Sequence, residues 1–471
     1  MRLFAVFSVV VAGLNSNATL SDIGAALGRF CQIAPKPLVS VCVKAEQSFV
    51  RLLGKLPATL NLQDYTPYTL CTMLSECKVD CCVSDLPEQI KLTLTDNADE
   101  IAVNWISRNK PQQPCVRYGL SPASTQLACG TSDTYTVGGW VGWLQTVVVS
   151  GLQPRSTYTY VVGDSAAGGH WSPTAYTFQN GPFLDEAANR PFRFAVIGDM
   201  GDTDQSNGTI THLLNLVQSD GYDVLLHDGD IAYADGVQLI FDNYGRSKVE
   251  KLNAFKPVLY TIGNHEAIFY DGLPYRKRFN HPTSSSPDPI YWSADIELTH
   301  VIGLNSESNV DTAYISDAQI AWLRTDLAAV NRTKTPWIVV LIHRPLYCTS
   351  ELAGTDCGTF ARLLRTAVES LFVAYDVDLV IQAHRHNYES SYPVAYGKVT
   401  RNKSPVYVVN GSAGSREGIT GGFTNPAPAW SRFRSLDYGY GLLSIHNASS
   451  LVWTFHRDTD NKIVDSLTIT K

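Results

Sequence analysis

The chain has 471 residues, of which 44% are hydrophobic and 17% charged. This composition excludes an intrinsically disordered chain and is typical of a globular protein of two to four domains. The net charge of -7, without a basic run of five or more residues, argues against a nucleic-acid-binding surface, which needs clustered Lys and Arg.

Residues 1–16 have the pattern of a secretory signal peptide, with Arg2 before an apolar run and small residues after it. The alternative is an ordinary buried helix or strand at the N-terminus. Ten cysteines favour the secretory interpretation, as do Asn-X-Ser/Thr sites at Asn207, Asn331, Asn402 and Asn447. We therefore expect a secreted or lumenal protein, located outside the cell or in a lysosome-like or vacuolar compartment.

Residues 17–85 contain six of the ten cysteines, which predicts a small helical domain held by disulfides. The six are Cys31, Cys42, Cys71, Cys77, Cys81 and Cys82. The stretch from Thr66 to Cys77 resembles the end of a saposin repeat, although the paired Cys-X-X-Cys opening of that family is absent. This resemblance implies contact with lipid or a membrane surface. The alternative is a disulfide-stabilised pro-segment or domain cap.

Residues 86–183 contain short stretches rich in β-branched and aromatic residues between turns, which predicts a β-sandwich. Cys115 and Cys129 are placed for a local disulfide. The predicted strands include Lys91–Thr95, Ile101–Trp105, Cys115–Tyr118, Gln145–Val149 and Thr157–Val162.

Residues 187–471 alternate apolar strand patterns with helical patterns, which predicts an α/β fold. The predicted helices are Ile210–Val217, Ala318–Val330 and Phe360–Phe372. From Pro405 the pattern returns to strands, which we expect to complete a second sheet packed on the first.

Five of the predicted strands in this region run directly into polar side chains. The strands are Phe192–Ile197, Tyr222–His227, Pro257–Ile262, Trp337–Ile342 and Val377–Gln382, and the residues after them include Asp199, Asp230, Tyr233, Asn264, His343, His384 and His386. Since ligands gather beyond the carboxyl ends of strands in open α/β sheets, we expect these side chains to meet in one cleft. Each alone has an ordinary structural explanation as a turn, cap or core residue, but the ordered set predicts two metal ions.

The types of side chain limit the metals and the chemistry. Carboxylate and phenolate oxygens suit Fe(III), whereas imidazole with a neutral amide suits a divalent ion such as Zn, Mn or Fe(II). One carboxylate must bridge, because two-metal sites hold their ions about 3.5–4 Å apart. Such a pair lowers the pKa of bound water and clamps a phosphoryl group, so we expect hydrolysis of phosphate esters at acidic pH.

Residues 86–471 resemble the large, two-domain purple acid phosphatases, in which a fibronectin-like β-sandwich precedes a metallophosphoesterase domain of two sheets. The motifs that carry the resemblance are GDIAYAD from Gly229, YVVNGSAG from Tyr407 and YVVGD from Tyr160. Other metallophosphoesterases usually have Asp-X-His in the first motif. Here Met200 and Gly201 follow Asp199, and Tyr233 stands three residues after Asp230, the exchange that distinguishes the purple acid group.

The resemblance implies a role for each residue and a substrate class of small phosphate monoesters. Asp199, Tyr233 and His386 would hold Fe(III), Asp230 would bridge, and Asn264, His343 and His384 would hold the divalent ion. His265 would be the catalytic residue that contacts phosphate or protonates the leaving group, or else a structural hydrogen-bonding residue. Glu266 and Glu389 are interpreted as residues that orient the ligands.

The chain departs from the plant members of the family at several positions. Ala353 occupies the region where they carry another phosphate-contacting histidine, and a disulfide between Cys348 and Cys357 is expected to stiffen that loop. Ala383 replaces the usual Gly, and Asp228 replaces a usual apolar residue. The Asp228 carboxylate would add negative charge near the site or face a helix N-terminus.

Two other functions remain open from the sequence. One is a phosphodiesterase acting on lipid or nucleotide substrates, favoured by the saposin-like segment. The other is a non-catalytic binding protein on the same scaffold, which an incomplete ligand set would favour. The oligomeric state is open.

Overall fold

A computed structural model describes residues 67–73, 75, 77–121, 125–185, 190–279, 286–309, 314–350, 354–400 and 404–471. The expected signal peptide and most of the Cys-rich segment, with Cys31 and Cys42, lie outside the described residues. The described end of that segment contains helix α1 (Pro67–Met73). It also contains two disulfides, Cys71–Cys77 and Cys81–Cys82.

The next part of the chain folds as two facing four-stranded sheets, as its alternating pattern predicts. One sheet has the order β10-β9-β4-β5 and the other β2-β3-β8-β6, while β1 pairs with β7. The Cys115–Cys129 disulfide joins β4 to β5 and is confirmed. The strands are β1 (Val79–Asp80), β2 (Glu88–Leu94), β3 (Ile101–Ser107), β4 (Pro114–Gly119), β5 (Gln126–Cys129), β6 (Thr131–Asp133), β7 (Trp140–Val141), β8 (Trp143–Val149), β9 (Thr157–Asp164) and β10 (Tyr176–Gln179).

The remaining chain forms two larger sheets. The first has the order β13-β12-β11-β23-β24-β25 and the second β14-β15-β16-β17-β21-β18-β22. Their strands, with the hairpin β19–β20, are β11 (Phe192–Ile197), β12 (Val224–Asp228), β13 (Val258–Thr261), β14 (Trp292–Ile296), β15 (Thr299–Leu304), β16 (Trp337–Ile342), β17 (Leu379–Gln382), β18 (Tyr388–Ser391), β19 (Val394–Ala395), β20 (Lys398–Val399), β21 (Val406–Asn410), β22 (Ser431–Ser435), β23 (Gly439–Asn447), β24 (Ser450–Arg457) and β25 (Ile463–Thr470).

Helices cover the outer faces of these two sheets. They are α2 (Asn207–Gln218), α3 (Gln238–Asn243), α4 (Glu250–Asn253), α5 (Asn264–Ala267), α6 (Leu273–Arg278), α7 (Asp317–Ala329) and α8 (Ala361–Ala374). Tyr244–Val249 and Gly354–Phe360 form π-helical turns, and Val137–Gly139 and Tyr270–Gly272 form 3-10 turns. No helix among the described residues is long and apolar enough to span a membrane.

Burial on both faces explains why the central strands are continuous apolar runs. In β16, Trp337, Val339 and Leu341 pack between the two sheets, while Ile338 and Val340 pack under the outer helices. Side chains that alternate across a strand therefore all meet protein. The predicted α/β sandwich of two sheets, preceded by a β-sandwich, is confirmed.

The C-terminal strands differ from the expectation. β21 joins the second sheet, but β23, β24 and β25 extend the first sheet through antiparallel pairing of β23 with β11. The sequence pattern does not specify which edge a strand joins, because that choice depends on pairing across more than two hundred residues of chain.

Candidate metal centre

Tight turns at the strand ends direct the candidate ligands into one cleft. Asp199, Asp230, Tyr233 and His384 have φ values of 56°, 47°, 53° and 65°. This left-handed region is unfavourable for non-glycine residues and is occupied where the surrounding structure requires it, often at functional sites. Gly263 permits the closest approach, since a Cβ there would lie 2.1 Å from Asp230 Oδ1.

Asp199, Tyr233 and His386 form one group of contacting donors. The Tyr233 hydroxyl lies 2.7 Å from His386 Nε2 and 3.0 Å from Asp199 Oδ1. His386 Nδ1 donates to the Gly418 carbonyl at 2.9 Å, so its Nε2 is free to act as an acceptor or ligand. All three side chains are buried.

Asp230, Asn264, His343 and His384 form a second group. His343 Nε2 lies 3.1 Å from Asp230 Oδ2 and 3.3 Å from Asn264 Oδ1. Its Nδ1 donates to the Asp228 carbonyl at 2.9 Å, which fixes the ring with Nε2 toward the cleft. Ligand atoms of Asp230, His343 and His384 all lie within 4.8 Å of one another.

The two groups are joined through the backbone of His384, whose N–H donates to Asp199 Oδ2 at 2.8 Å. The structure thus brings together all seven residues selected from the sequence. Buried anionic oxygens that face imidazole nitrogens with available lone pairs are a donor set suited to cations. Burial, together with Asp199 and Asp230, raises the pKa of Tyr233 well above its ordinary value, so a phenolate at this position requires a bound cation.

His265 lies beside both groups. Its Nδ1 is 2.6 Å from Asp235 Oδ1, its Nε2 is 3.8 Å from Asp230 Oδ2, and its ring centroid is 4.2 Å from that of Tyr233. Burial alone lowers the pKa of His265, but Asp235 and Asp230 outweigh it and raise that pKa to about 10. Asp235 also pairs with Arg416.

The sequence reasoning assigned no role to Asp235 or Arg416. Asp235 stands two residues after Tyr233, at the end of the GDIAYAD motif, and the sequence signal is a carboxylate that directly follows the largely apolar run Ile231–Ala234. Arg416 lies in a loop distant in sequence, and only the fold brings it to Asp235.

The two glutamates interpreted as orienting residues differ in what they contact. Glu266 accepts hydrogen bonds from the backbone N–H groups of Ile231 and Gly263, at 2.8 and 3.1 Å, and so fixes two ligand-bearing turns. Glu389 instead accepts from the N–H and hydroxyl of Thr349, both at 2.8 Å, and from Ser431. It anchors the loop after β16 and contacts no candidate ligand through these bonds.

Asp228 is completely buried beneath the centre. Its Oδ1 accepts a hydrogen bond from the Thr261 hydroxyl at 2.7 Å, and burial raises its pKa to about 7. Its backbone carbonyl accepts from His343 Nδ1, which places Asp228 next to the site. With its pKa raised to about 7, the carboxyl is mostly uncharged at acidic pH, so the expected added negative charge stays a prediction. The expected Cys348–Cys357 disulfide is confirmed.

The chain matches three family models in order. They are the purple acid phosphatase N-terminal domain over residues 87–180, the calcineurin-like phosphoesterase over 192–388, and the iron/zinc purple acid phosphatase-like protein C over 404–466. The fold and the site together define a metallophosphoesterase.

Comparison with individual proteins narrows this class. Purple acid phosphatase 22 of Arabidopsis thaliana is 31% identical, with 80% of this chain and 83% of the relative covered. The Fe(3+)-Zn(2+) purple acid phosphatase 12 of the same plant is 29% identical, with 80% and 82% covered. The chain belongs to the purple acid phosphatase family, as the sequence motifs indicate.

A solved structure supports the fold independently. A purple acid phosphatase isolated from yellow lupin (Lupinus luteus) seeds superposes with a TM-score of 0.72 at 22% identity, covering 82% of this chain and 74% of that one. At this identity the likeness concerns the fold alone.

Proposed function

We propose that this protein is an acid phosphatase that hydrolyses phosphate monoesters at a dinuclear Fe(III)–M(II) centre. The observation that carries the proposal is the convergence of seven buried or nearly buried donors in two adjoining groups. The family membership and the name of the Fe(3+)-Zn(2+) relative support the choice of metals.

In this proposal each group holds one metal. Asp199, Tyr233 and His386 would hold Fe(III), Asn264, His343 and His384 would hold the divalent ion (Zn, Mn or Fe(II)), and Asp230 would contact both. When bound, the metals supply Lewis acidity and an acidic water at low pH. The fixed tautomers of His343 and His386 support this assignment, because each Nδ1 is used by a backbone carbonyl.

His265 is the proposed catalytic residue of the protein itself. Because its Nδ1 is engaged by Asp235, its Nε2 can carry a proton on the side that faces Asp230. A proton at this atom can be donated to the leaving oxygen or to a phosphate oxygen. Asp235 and Arg416 position the ring.

The first test is a visible absorption spectrum with metal analysis of the same purified sample. We expect a broad purple band and iron plus a second metal. A colourless protein with two divalent ions would keep a phosphoesterase but contradict the Tyr233–Fe(III) assignment. A folded protein that binds no metal would favour the non-catalytic alternative.

A second test separates monoester from diester hydrolysis. The proposal requires faster turnover of p-nitrophenyl phosphate than of bis(p-nitrophenyl) phosphate, at acidic pH. The reverse preference would favour the phosphodiesterase alternative.

We also propose the domain division expected from the sequence, with a signal peptide at 1–16, a Cys-rich domain at 17–85, a fibronectin-like sandwich at 86–183 and the catalytic domain at 187–471. The sandwich strands between 88 and 179 and the two larger sheets from 192 onward support it. Limited proteolysis that cuts within 181–190 while leaving two protected fragments is the expected result; cuts confined to the sandwich would contradict it.

We propose further that the protein is secreted or lumenal. The disulfides at Cys115–Cys129 and Cys348–Cys357 support an oxidising compartment, and Asn207 and Asn331 are exposed for glycosylation. Asn410 is buried, with its amide donating to the Val196 carbonyl at 3.0 Å, which disfavours glycosylation there. A mass shift on treatment with an N-glycosidase tests this.

The lipid contact expected of the Cys-rich segment stays a proposal. Its support is two exposed apolar side chains at the described end of the segment, Tyr68 and Val83, with 42% and 72% exposure. Flotation with anionic phospholipid vesicles tests it, and Val83→Asp should weaken binding. Equal recovery of both proteins in the unbound fraction would contradict it.

A further inference from the structure

A second charged cluster adjoins the centre on the side of His384. Arg344 directly follows one proposed ligand in the sequence, and Arg385 stands between two others. Asp356 comes from the π-helical turn Gly354–Phe360, next to the disulfide-bonded Cys357. The three charged side chains therefore reach one corner from different parts of the fold.

The distances show that Asp356 links this corner. Its Oδ1 lies 3.3 Å from Arg344 Nη1, and its Oδ2 lies 3.0 Å from Arg385 Nη1. The same Oδ2 is 3.4 Å from Nε2 of His384. The side chains of Asp356 and Arg385 are 16% and 12% exposed, so both are partly accessible to solvent next to His384.

The charges in the corner balance one another. Arg344 already has its own partner, because its Nε lies 2.9 Å from both carboxylate oxygens of the buried Glu307. Asp356 is therefore the carboxylate that balances Arg385. Among the described residues, Arg385 Nε is buried without a hydrogen-bond partner, and Nη1 is the guanidinium nitrogen that pairs with Asp356.

We propose that Asp356 is a specificity-determining residue that favours phosphate monoesters with an uncharged leaving group over esters that carry a second anionic group. By occupying Arg385, its carboxylate prevents that guanidinium from pairing with a carboxylate or second phosphate on the substrate. This inference rests on the proposed phosphatase function and names the substrate class of that same site.

The disulfide explains how the carboxylate is held in place. Cys348 lies in the loop after β16, and its bond to Cys357 ties the turn that carries Asp356 to that loop. Because the Asp356 carboxylate is already fixed next to Arg385, it can keep a substrate anion from Arg385 without losing conformational entropy each time a substrate binds. The corner thus discriminates by keeping Arg385 paired within the protein rather than by a new favourable contact.

Two esters that differ only in charge test the proposal. Phenyl phosphate has an uncharged leaving group, and 4-carboxyphenyl phosphate adds one carboxylate. For Asp356→Asn we expect the ratio of kcat/KM, carboxylated over uncharged, to rise about fivefold, as one screened charge pair near a protein surface allows. The double variant Asp356→Asn/Arg385→Gln restores the net charge of the corner, so its ratio should return to within about twofold of the wild-type value if the two charges act additively.

Two further variants serve as controls. Arg385→Gln leaves Asp356 without its partner and should lower the ratio about fivefold, which tests the proposal even where Asp356→Asn does not fold. Asp96→Asn removes an exposed carboxylate of the β-sandwich and should leave the ratio unchanged. An Asp356→Asn protein with the wild-type ratio would overturn the proposal, since a purely structural ion pair would not change selectivity.

Binding provides a readout that does not need turnover. The dissociation constants of phenylphosphonate and 4-carboxyphenylphosphonate, measured by calorimetry, should show the same fivefold change between wild type and Asp356→Asn. A wild-type protein that hydrolyses neither ester would count against the proposed function. The phosphonate affinities alone would then decide whether Asp356 screens Arg385.

Discussion

The two halves of the proposed metal centre differ in the solvent exposure of their ligands and in the residues that those ligands contact. On the iron side, Asp199 and Tyr233 are 0% and 1% exposed and are bonded to each other and to His386. On the divalent side, Asn264 is 9% exposed, and His384 faces the charged corner of Arg344 and Asp356. In one half the ligands contact mainly one another, whereas in the other His384 contacts charged side chains that are not ligands.

This difference suggests a division of work within one site. A closed set of hard oxygen donors favours tight retention of a trivalent ion. On the divalent side, His384 contacts Arg344 and Asp356, which are not ligands. Metal identity and substrate selection can therefore be altered separately, and variants of single residues can break or sharpen the distinction.

The largest effect is expected from Asp230→Ala, because Asp230 is the proposed bridging ligand of the two metals. Removing the bridge should release or separate both metals and lower kcat/KM about a thousandfold or more, since two-metal stabilisation supplies several kcal/mol. Metal content and p-nitrophenyl phosphate turnover measure the loss. Wild-type turnover in this variant would show that the bridge lies elsewhere.

Tyr233→Phe should break the iron side alone. The variant should lose the visible band and bind iron more weakly, while the divalent ion remains. Loss of a buried hydroxyl that contacts Asp199 and His386 should cost about 1–3 kcal/mol of unfolding free energy, which leaves the fold intact. A spectrum that stays purple would refute the ligand assignment.

Asp235→Asn should affect neither metal but reduce the rate. The amide can still contact His265, yet it no longer provides the charge, so kcat should fall about 10–100-fold with metal content unchanged. Arg416→Gln is the milder companion variant, because the Arg416 side chain is 42% exposed. If Asp235→Asn lost metal in proportion to its loss of activity, Asp235 would instead be a residue that stabilises the metal ligands.

Cys348→Ser should destabilise the loop that carries Asp356, next to His384, without changing the visible absorption band. A disulfide that closes a loop of this length contributes about 2–3 kcal/mol, chiefly through the unfolded state. Chemical unfolding of wild type and variant measures the difference. An altered visible spectrum would show that the loop also supports the iron side.

The smallest effect concerns a histidine outside both halves. His300 lies 2.7 Å from Asp295 and 3.0 Å from Asp326. Burial opposes its protonation, but the two carboxylates raise its pKa to about 9. Because this folded-state pKa exceeds the unfolded value of about 6.5, the contribution is complete below pH 6.5 and is lost as the pH rises through 9.

His300→Gln should therefore lower the unfolding free energy by about 1–2 kcal/mol at pH 5.5, after allowance for the partial exposure of Asp295. The difference should shrink above pH 9. Urea unfolding at pH 5.5, 7.5 and 9.5 measures it. A difference that is constant over this range would contradict the charge-based explanation.

The sequence predicted several continuously apolar strands well and missed strands that carry polar residues. β11 and β16 agree with the prediction at both ends, because a run buried on both faces is continuously apolar. β18 (Tyr388–Ser391) and β22 (Ser431–Ser435) were not predicted. Their polar residues are accommodated by partners such as Asp465, which accepts from the hydroxyls of Tyr388 and Ser390.

The amino-acid sequence by itself determined the family and the chemical types of the candidate ligands, because each follows an apolar strand within a few residues. The tertiary structure decided which atoms meet. It set the ring nitrogen that His343 and His386 present, the support of His265 by Asp235, and the approach of Asp356 to Arg385. These features depend on backbone carbonyls and on loops far apart in the chain, and no local pattern encodes such distances.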